Sequence, residues 1–326
     1  MSVARLRIET AGPLTSVQDA GRPGWRRFGV PPSGPVDRRA FAAALAATGG
    51  KEVGIEVSLG GLSFTCEGGP VAMAITGAAV ASVNGVEVGG WCVVTLQPGA
   101  RCRVRESGGN WGYLAFAGEM DGAAWLGSRS THLIAGLGAG RLEAGAAVSI
   151  ADARDRASVS IAPPPEAEPV AVARVVLGPQ QRFFADEVLA RLTGEPFAAS
   201  ARFDRMGMVL DGPALTPLRV DMPSEPAVRG ALQVDGDGRV SLLTADHQTT
   251  GGYPRIGAVV EPDIDRVAQL PAAAALRFAV VDAGAAVALT RAAAARDAAW
   301  LAQVRAGCRA RGSLLTANLV DGVVAP

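Results

Sequence analysis

From Val71 to Ile150 the chain is written in short apolar runs broken by glycine or Asn-Gly, as in "VAMAITGAAVASVNGVEVGGWCVVTLQPGARCRVRES". Runs this short, bounded by turn residues, predict strands rather than helices. Asn84-Gly85, between "AVASV" and "VEV", predicts a two-residue hairpin, because both central positions of such a turn need positive φ. Pro98-Gly99 in "LQPGARCRV" reads as a second hairpin turn. The later part of the chain repeats the style, with "GALQV", "VSLLTA" and "ALRFAVV" set between turns such as "DGDG". Many short strands at this spacing predict antiparallel barrels or sandwiches and not a doubly wound sheet, so the fold class is mainly β with a few helices.

The helices are few and have legible ends. "SGPVDRRAFAAALAATGG" begins with Ser33 or Gly34 as cap, has Pro35 in its first turn and Asp37 placed to favour the dipole, and stops at Gly49-Gly50. "PQQRFFADEVLARLTG" puts Phe184, Val188 and Leu192 on one face and ends at Gly194. The C-terminal "RAAAARDAAWLAQVRAGCRARG" carries Trp300, Val304 and Cys308 in one stripe, which predicts a helix packed on a domain. Between Ala151 and Arg174 the composition shifts to a connector with three successive prolines, Pro163 to Pro165. Two domains are expected, 1–160 and 161–290, followed by a helix and tail over 291–326.

Composition narrows the function. Thirty-one basic and 31 acidic residues balance to zero, which removes the electrostatic footprint that nucleic acid or an anionic membrane requires. Lys51 is the sole lysine and sits in "TGGKEVG", without the spacing or following hydroxyl of a phosphate-cradling loop; a solvated position after a helix end is expected. The four cysteines, Cys66, Cys92, Cys102 and Cys308, lack metal or redox spacing and read as reduced thiols, with Cys92 and Cys102 as small buried residues. No apolar leader or long apolar run is present, so a cytoplasmic protein is expected. Two separated histidines do not assemble a metal site, and no Gly-x-Gly-x-x-Gly opens a helix, so neither a metal nor a dinucleotide is expected.

Four glycine-punctuated polar clusters remain as candidate chemistry. In "LTSVQDAGRPGWRRFGVPPSGPVD", Gln18, Asp19, Arg22, Ser33 and Asp37 crowd before a helix, where amides and a hydroxyl can meet an anionic or carbonyl group; a turn-rich connection with Arg–Asp pairing is the plainer reading. "WLGSRSTHL" puts Thr131 beside His132, but neighbours on an extended strand face opposite ways, so an arginine-centred hydrogen-bond knot is expected there. "FDRMG" offers Asp204 and Arg205 as an ion pair, or Arg205 as a bidentate carboxylate clamp. "TADHQTTGGYPRIG" offers Asp246, Gln248, Thr249 and Thr250 beside a Gly pair that lets backbone approach a ligand.

In this order the four clusters, with "GLGAGRLEAG" and "PDIDRVAQL", resemble the family of allophanate hydrolase subunit 2, KipA and the C component of 5-oxoprolinase, which includes the carboxyltransferase region of biotin-dependent urea carboxylase. The resemblance covers roughly residues 10–280. It implies two cyclophilin-like β-barrel domains and a subunit of an ATP-dependent complex that opens 5-oxoproline to glutamate. A KipI-like companion, the B component of 5-oxoprolinase, is implied with it, and in 5-oxoprolinase a third, the A component; ATP is used by the complex, and the resemblance leaves open whether a partner or this chain binds it. Two alternatives stand beside it: the carboxyltransferase component of a urea or amide carboxylase, with biotin on a separate carrier, and a KipA-like regulator that binds a KipI-like kinase inhibitor.

The resemblance places catalysis on Asp246, Gln248, Thr249 and Thr250, and substrate binding on Gln233, Tyr253, Arg205, Arg22, Ser33 and Asp37. Implied roles are amide positioning for the glutamines, proton handling or orientation for Asp246, and anion contact for the arginines. The family does not require histidine at position 247, so His247 is expected in a nearby ion pair or as an exposed ring.

Overall fold

Along Val3–Ala11, buried residues alternate with exposed ones over the first six positions, so the strand has one core face and one wet face. The structure is a computed structural model and describes residues 2–50, 52–166 and 170–316, with side chains through Cys308; Lys51 lies outside the described residues. The Val3–Ala11 strand sits in a seven-stranded sheet ordered Glu119–Met120, Ala147–Ala151, Val3–Ala11, Leu62–Gly68, Arg101–Glu106, Ala79–Val83 and Val86–Gly89. A six-stranded sheet runs Val159–Ser160, Cys92–Leu96, Val71–Gly77, Gly112–Phe116, Gly54–Val57 and Ser16–Gln18. Leu6, Ile8 and Phe64 of the first sheet share one core with Ile55, Met73 and Leu114 of the second.

Strand Val71–Gly77 is buried on both faces, and its residues divide by parity. Val71, Met73 and Ile75 enter the intersheet core, while Ala72 and Ala74 face the other way, against helix α1 (Arg38–Thr48). Alanines there leave room for the helix and its Phe41. The α1 cap is Asp37 and not Ser33 or Gly34: Asp37 Oδ1 accepts from Ala40 N at 2.9 Å. Ser33 and Gly34 instead hold positive φ, 55° and 89°, and turn the chain before the helix starts.

The second part of the chain closes into a barrel. Its order is Val172–Leu177, Arg255–Val259, Ala231–Val234, Val240–Leu243, Gly207–Asp211, Phe197–Phe203 and Ala275–Val280, which returns parallel to the first strand. Val175, Leu210, Leu232, Leu242, Ile256 and Phe278 contribute to its core, with Leu192 from α2 (Asp186–Gly194) and Ile264 from α3 (Glu261–Ala268). The predicted single helix from Pro179 is two pieces, a 3-10 turn over Pro179–Phe183 and then α2. Phe184 and Ala185 between them are extended, and Asp186 and Glu187 suit a fresh helix N-terminus.

Asn84 and Gly85, with φ of 51° and 83°, form the predicted hairpin between Ala79–Val83 and Val86–Gly89. Pro98-Gly99 does not make a hairpin. The strands on either side of it lie in different sheets, and Gly99 N donates to Cys66 O, so the turn carries the chain across the core edge. Cys92 and Cys102 are accordingly separate, buried and free.

Helix α4 (Ala283–Thr316) returns from the barrel to the first part of the chain. Trp300, Val304 and Cys308 join the cluster of α1 residues; Trp300 lies 6.3 Å from Trp91 and donates from Nε1 to Ala162 O at 3.0 Å. No helix among the described residues is long and apolar enough to cross a membrane.

Candidate functional site

Arg205 leaves the end of strand Phe197–Phe203 and crosses to the other part of the molecule, where it is 2% exposed. Its Nε donates to Asp246 Oδ2 at 2.9 Å, and its Nη2 donates to Asp246 Oδ1 at 3.0 Å and to Gly34 O at 2.7 Å. Nη1 donates to Glu56, which is fully buried on strand Gly54–Val57. Glu56 Oε2 also accepts from Val36 N at 2.8 Å and from Tyr113 Oη at 2.9 Å, and Tyr113 Oη accepts from Asp37 N at 2.7 Å. One guanidinium thus ties two carboxylates whose residues lie far apart in sequence.

The energetics of this cluster set its protonation. Burial alone pulls the Arg205 pKa down, but the Asp246 and Glu56 carboxylates outweigh it and hold the pKa above its ordinary value. Burial pushes the Glu56 carboxyl up against the opposing pull of Arg205. Tyr113 is raised by burial and then by the charges of Glu56 and Asp37, so its phenol stays protonated and donates.

Segment 244–250 lies against this cluster. Asp246 N donates to Arg205 O at 2.7 Å, and Thr244 Oγ1 to the same oxygen at 2.8 Å. Ala227 N donates to Thr249 O at 2.9 Å, and the short strand Thr250–Gly251 pairs with Glu225–Pro226. The segment forms one wall of a cavity of about 410 Å³. Asp246, His247, Gln248, Thr249 and Thr250 line it with Met206, and Arg22, Trp125, His132 and Ile134 line it from the other part of the chain.

Arg22 is 2% exposed, and its guanidinium carbon lies 5.3 Å from the centre of the Trp125 ring. Nη1 donates to Ser33 Oγ at 3.1 Å and Nη2 donates to Ser130 O, whereas the buried Nε has no hydrogen-bond partner among the described residues. Burial lowers its pKa, with Asp19 and Asp246 opposing the shift. Asp19 does not pair with Arg22: it accepts from Gly21 N, Ser128 Oγ and Arg129 N at 2.8, 2.6 and 2.6 Å. The knot predicted around "GSRST" is therefore centred on an aspartate as well as on an arginine.

All four residues named for catalysis, Asp246, Gln248, Thr249 and Thr250, line this cavity, and so does Arg22. Gln233 stands behind it, where its Oε1 accepts from Gln248 Nε2 at 2.5 Å. Arg205 and Ser33 hold Asp246 and Arg22 from outside the lining. Tyr253 is 48% exposed and outside the lining. Asp37 lines a different cavity of about 230 Å³, with Asp265, Gln269, Arg39 and Trp91. There its Oδ2 accepts from Gln269 Nε2 at 2.8 Å.

The Asp204–Arg205 neighbours do not pair with each other: Asp204 accepts from Met206 N and Gly207 N in its own turn. Asp246 has both oxygens engaged, by Arg205 and by Leu133 N at 3.4 Å. That arrangement suits orientation better than proton transfer.

Two residues lie where the sequence does not place them. His247 is not exposed and makes no ion pair among the described residues; it is 1% exposed, and its Nδ1 donates to Gln248 O at 2.7 Å. Burial lowers its pKa first, and Arg26 and Arg229 act in the same direction. Glu56 is the other, since one acidic residue inside the apolar "GIEV" carries no pattern that marks a charge cluster. Its only sequence signal is a charge at a position otherwise flanked by core residues.

A family model, carboxyltransferase domain, subdomain A and B, matches residues 28–280. The chain is 32% identical over 293 residues to the C component of 5-oxoprolinase from Escherichia coli, covering 84% of this chain and 90% of that protein. It is 30% identical over 305 residues to the corresponding 5-oxoprolinase component of Haemophilus influenzae, covering 89% and 94%. The crystal structure of K. lactis urea amidolyase aligns with a TM-score of 0.80 at 23% identity, over 92% of this chain and 20% of that one, which shows a shared fold.

Proposed function

The chain belongs to the family defined by the carboxyltransferase domain, subdomain A and B, and from that membership we propose that it is the C component of an ATP-dependent 5-oxoprolinase, the complex that opens 5-oxoproline to glutamate. The observation that carries the reading is the cavity at segment 244–250, where the buried Arg22, its Nε without a partner among the described residues, stands with Asp246, Gln248 and two threonines. 5-Oxoproline is a small cyclic amide with a carboxylate, and it needs a cation at one end and amide donors and acceptors at the other. Arg22 supplies the first. Gln248, fixed by Gln233, and the Thr249 and Thr250 hydroxyls supply the second.

Asp246 acts through orientation, since Arg205 clamps it and fixes the segment that bears the other groups. Among the described residues the lining has one cationic side chain besides two histidines, which is too little for a triphosphate, so ATP belongs to a companion, the A or the B component. A lined cavity favours an enzyme subunit over a KipA-like regulator, which needs only an exposed contact patch.

The family name supports a second reading, transfer of a carboxyl group from carboxybiotin on a separate carrier to urea or another amide. One experiment separates the two: the chain is combined with its companion subunits and ATP-dependent release of glutamate from 5-oxoproline is followed with and without avidin. Release that avidin leaves untouched supports the 5-oxoprolinase. No release from the complete complex contradicts it, and amide carboxylation that avidin stops supports the transferase.

A further inference from the structure

The chain has two histidines, 115 positions apart in sequence, and both line the cavity at segment 244–250. Their backbone contacts are opposite in sense. His132 Nδ1 accepts from Ala135 N at 3.1 Å, so its neutral ring carries the proton on Nε2. His247 Nδ1 donates to Gln248 O at 2.7 Å, so its neutral ring leaves Nε2 bare. Neither Nε2 has a hydrogen-bond partner among the described residues. His247 is held neutral by burial and by the neighbouring arginines, which keeps its Nε2 an acceptor.

We propose that His132 and His247 form a donor–acceptor pair that reads the edge of a cis amide, with His132 Nε2–H donating to the carbonyl oxygen and His247 Nε2 accepting from the amide N–H. A cis amide, the form every small lactam must take, shows its N–H and C=O on the same edge. A pair of rings with complementary free nitrogens matches that edge and rejects ligands that lack either half. An ester has no N–H for His247, and a cyclic amine has no carbonyl for His132. The inference rests on the reading of this cavity as the amide site.

The backbone fixes the two tautomers, so they are measurable in the full chain without any ligand. Uniform ¹⁵N-histidine labelling yields two ring systems, and long-range ¹H–¹⁵N correlation assigns the proton in each. His247 protonated on Nδ1 and His132 on Nε2 is the expected result; the same tautomer in both rings overturns the pair. Ligands then test recognition: 5-oxoproline, its γ-lactone analogue without the N–H, and proline without the carbonyl.

His247→Asn and His132→Asn keep an amide near the Nδ1 contact and remove Nε2. H247N should weaken 5-oxoproline binding about tenfold and leave lactone binding unchanged. H132N should weaken both by about the same factor and leave proline unaffected. If 5-oxoproline binds and both variants bind it as the native chain does, the pair is overturned while the amide reading stands. If neither 5-oxoproline nor urea moves either Nε2 resonance, the amide reading of the cavity falls and the pair falls with it.

Discussion

Removing Arg205 would leave Asp246 and Glu56 buried without their counter-charge, a larger penalty than the loss of one contact. Arg205→Ala should lower the unfolding free energy by about 3–5 kcal/mol in urea titration, and a loss below about 1 kcal/mol would contradict the clamp. Arg205→Lys keeps the charge but not the fork, so it should recover only part of that loss.

Asp37 behaves in the opposite way. Burial first, and then the Asp265 charge, raise its carboxyl from the ordinary range to about 7. The folded chain therefore keeps a proton that the unfolded chain releases above its own lower pKa, and this source of stability is lost as pH rises towards about 7. Asp37→Asn retains a capping side chain. Its melting temperature should fall less than that of the native chain between about pH 5 and about pH 8, and equal falls would refute the assignment.

Single residues are legible where their chemistry comes in clusters. Arg22, Asp246 and Gln248 stand among glycines and other polar groups, while Glu56 stands alone in an apolar strand and His247 has nothing in its sequence neighbours to mark it as buried. Which carboxylates Arg205 reaches depends on contacts that span 149 and 41 positions, and no local pattern records such distances.

Elements with a strong internal period are the easiest to read. The Asn84-Gly85 hairpin follows from the φ values that its turn demands. The stripe of Trp300, Val304 and Cys308 follows from helical spacing, and α4 buries it against Trp91 and the α1 cluster. Trp300→Ala should therefore cost about 3–5 kcal/mol of stability, measured by chemical denaturation, and a surface-like loss of under about 0.5 kcal/mol would place the helix elsewhere. Pro98-Gly99 departs from its expected hairpin because a turn signal gives the reversal but not the sheet that the chain joins afterwards. The break between Pro179–Phe183 and α2 is hidden for a related reason: apolar spacing runs on through two extended residues that end one helix and precede the next.

At the scale of the molecule, the cavity belongs to neither part of the chain alone. Arg22, Trp125 and His132 come from the two-sheet part, and Met206 and residues 246–250 come from the barrel part. Contacts such as Arg229 Nη2 to Val36 O at 2.8 Å and Asn110 Nδ2 to Leu270 O at 2.8 Å lock the two together around it. A mainly β chain is readable from strand spacing, but the joining of two sheets and a closed barrel around one site is a property of side chains that meet only after folding.

On the proposed reading a small amide places its carboxylate against Arg22, and the cavity must lose affinity when that cation goes. The most direct measurement is the steady-state kinetics of glutamate release from 5-oxoproline by the complex assembled with its companion subunits, comparing the native chain with Arg22→Gln. The variant should raise KM for 5-oxoproline about tenfold or more, as loss of a charge-assisted contact requires. A variant that stays folded and shows an unchanged KM would contradict the assignment.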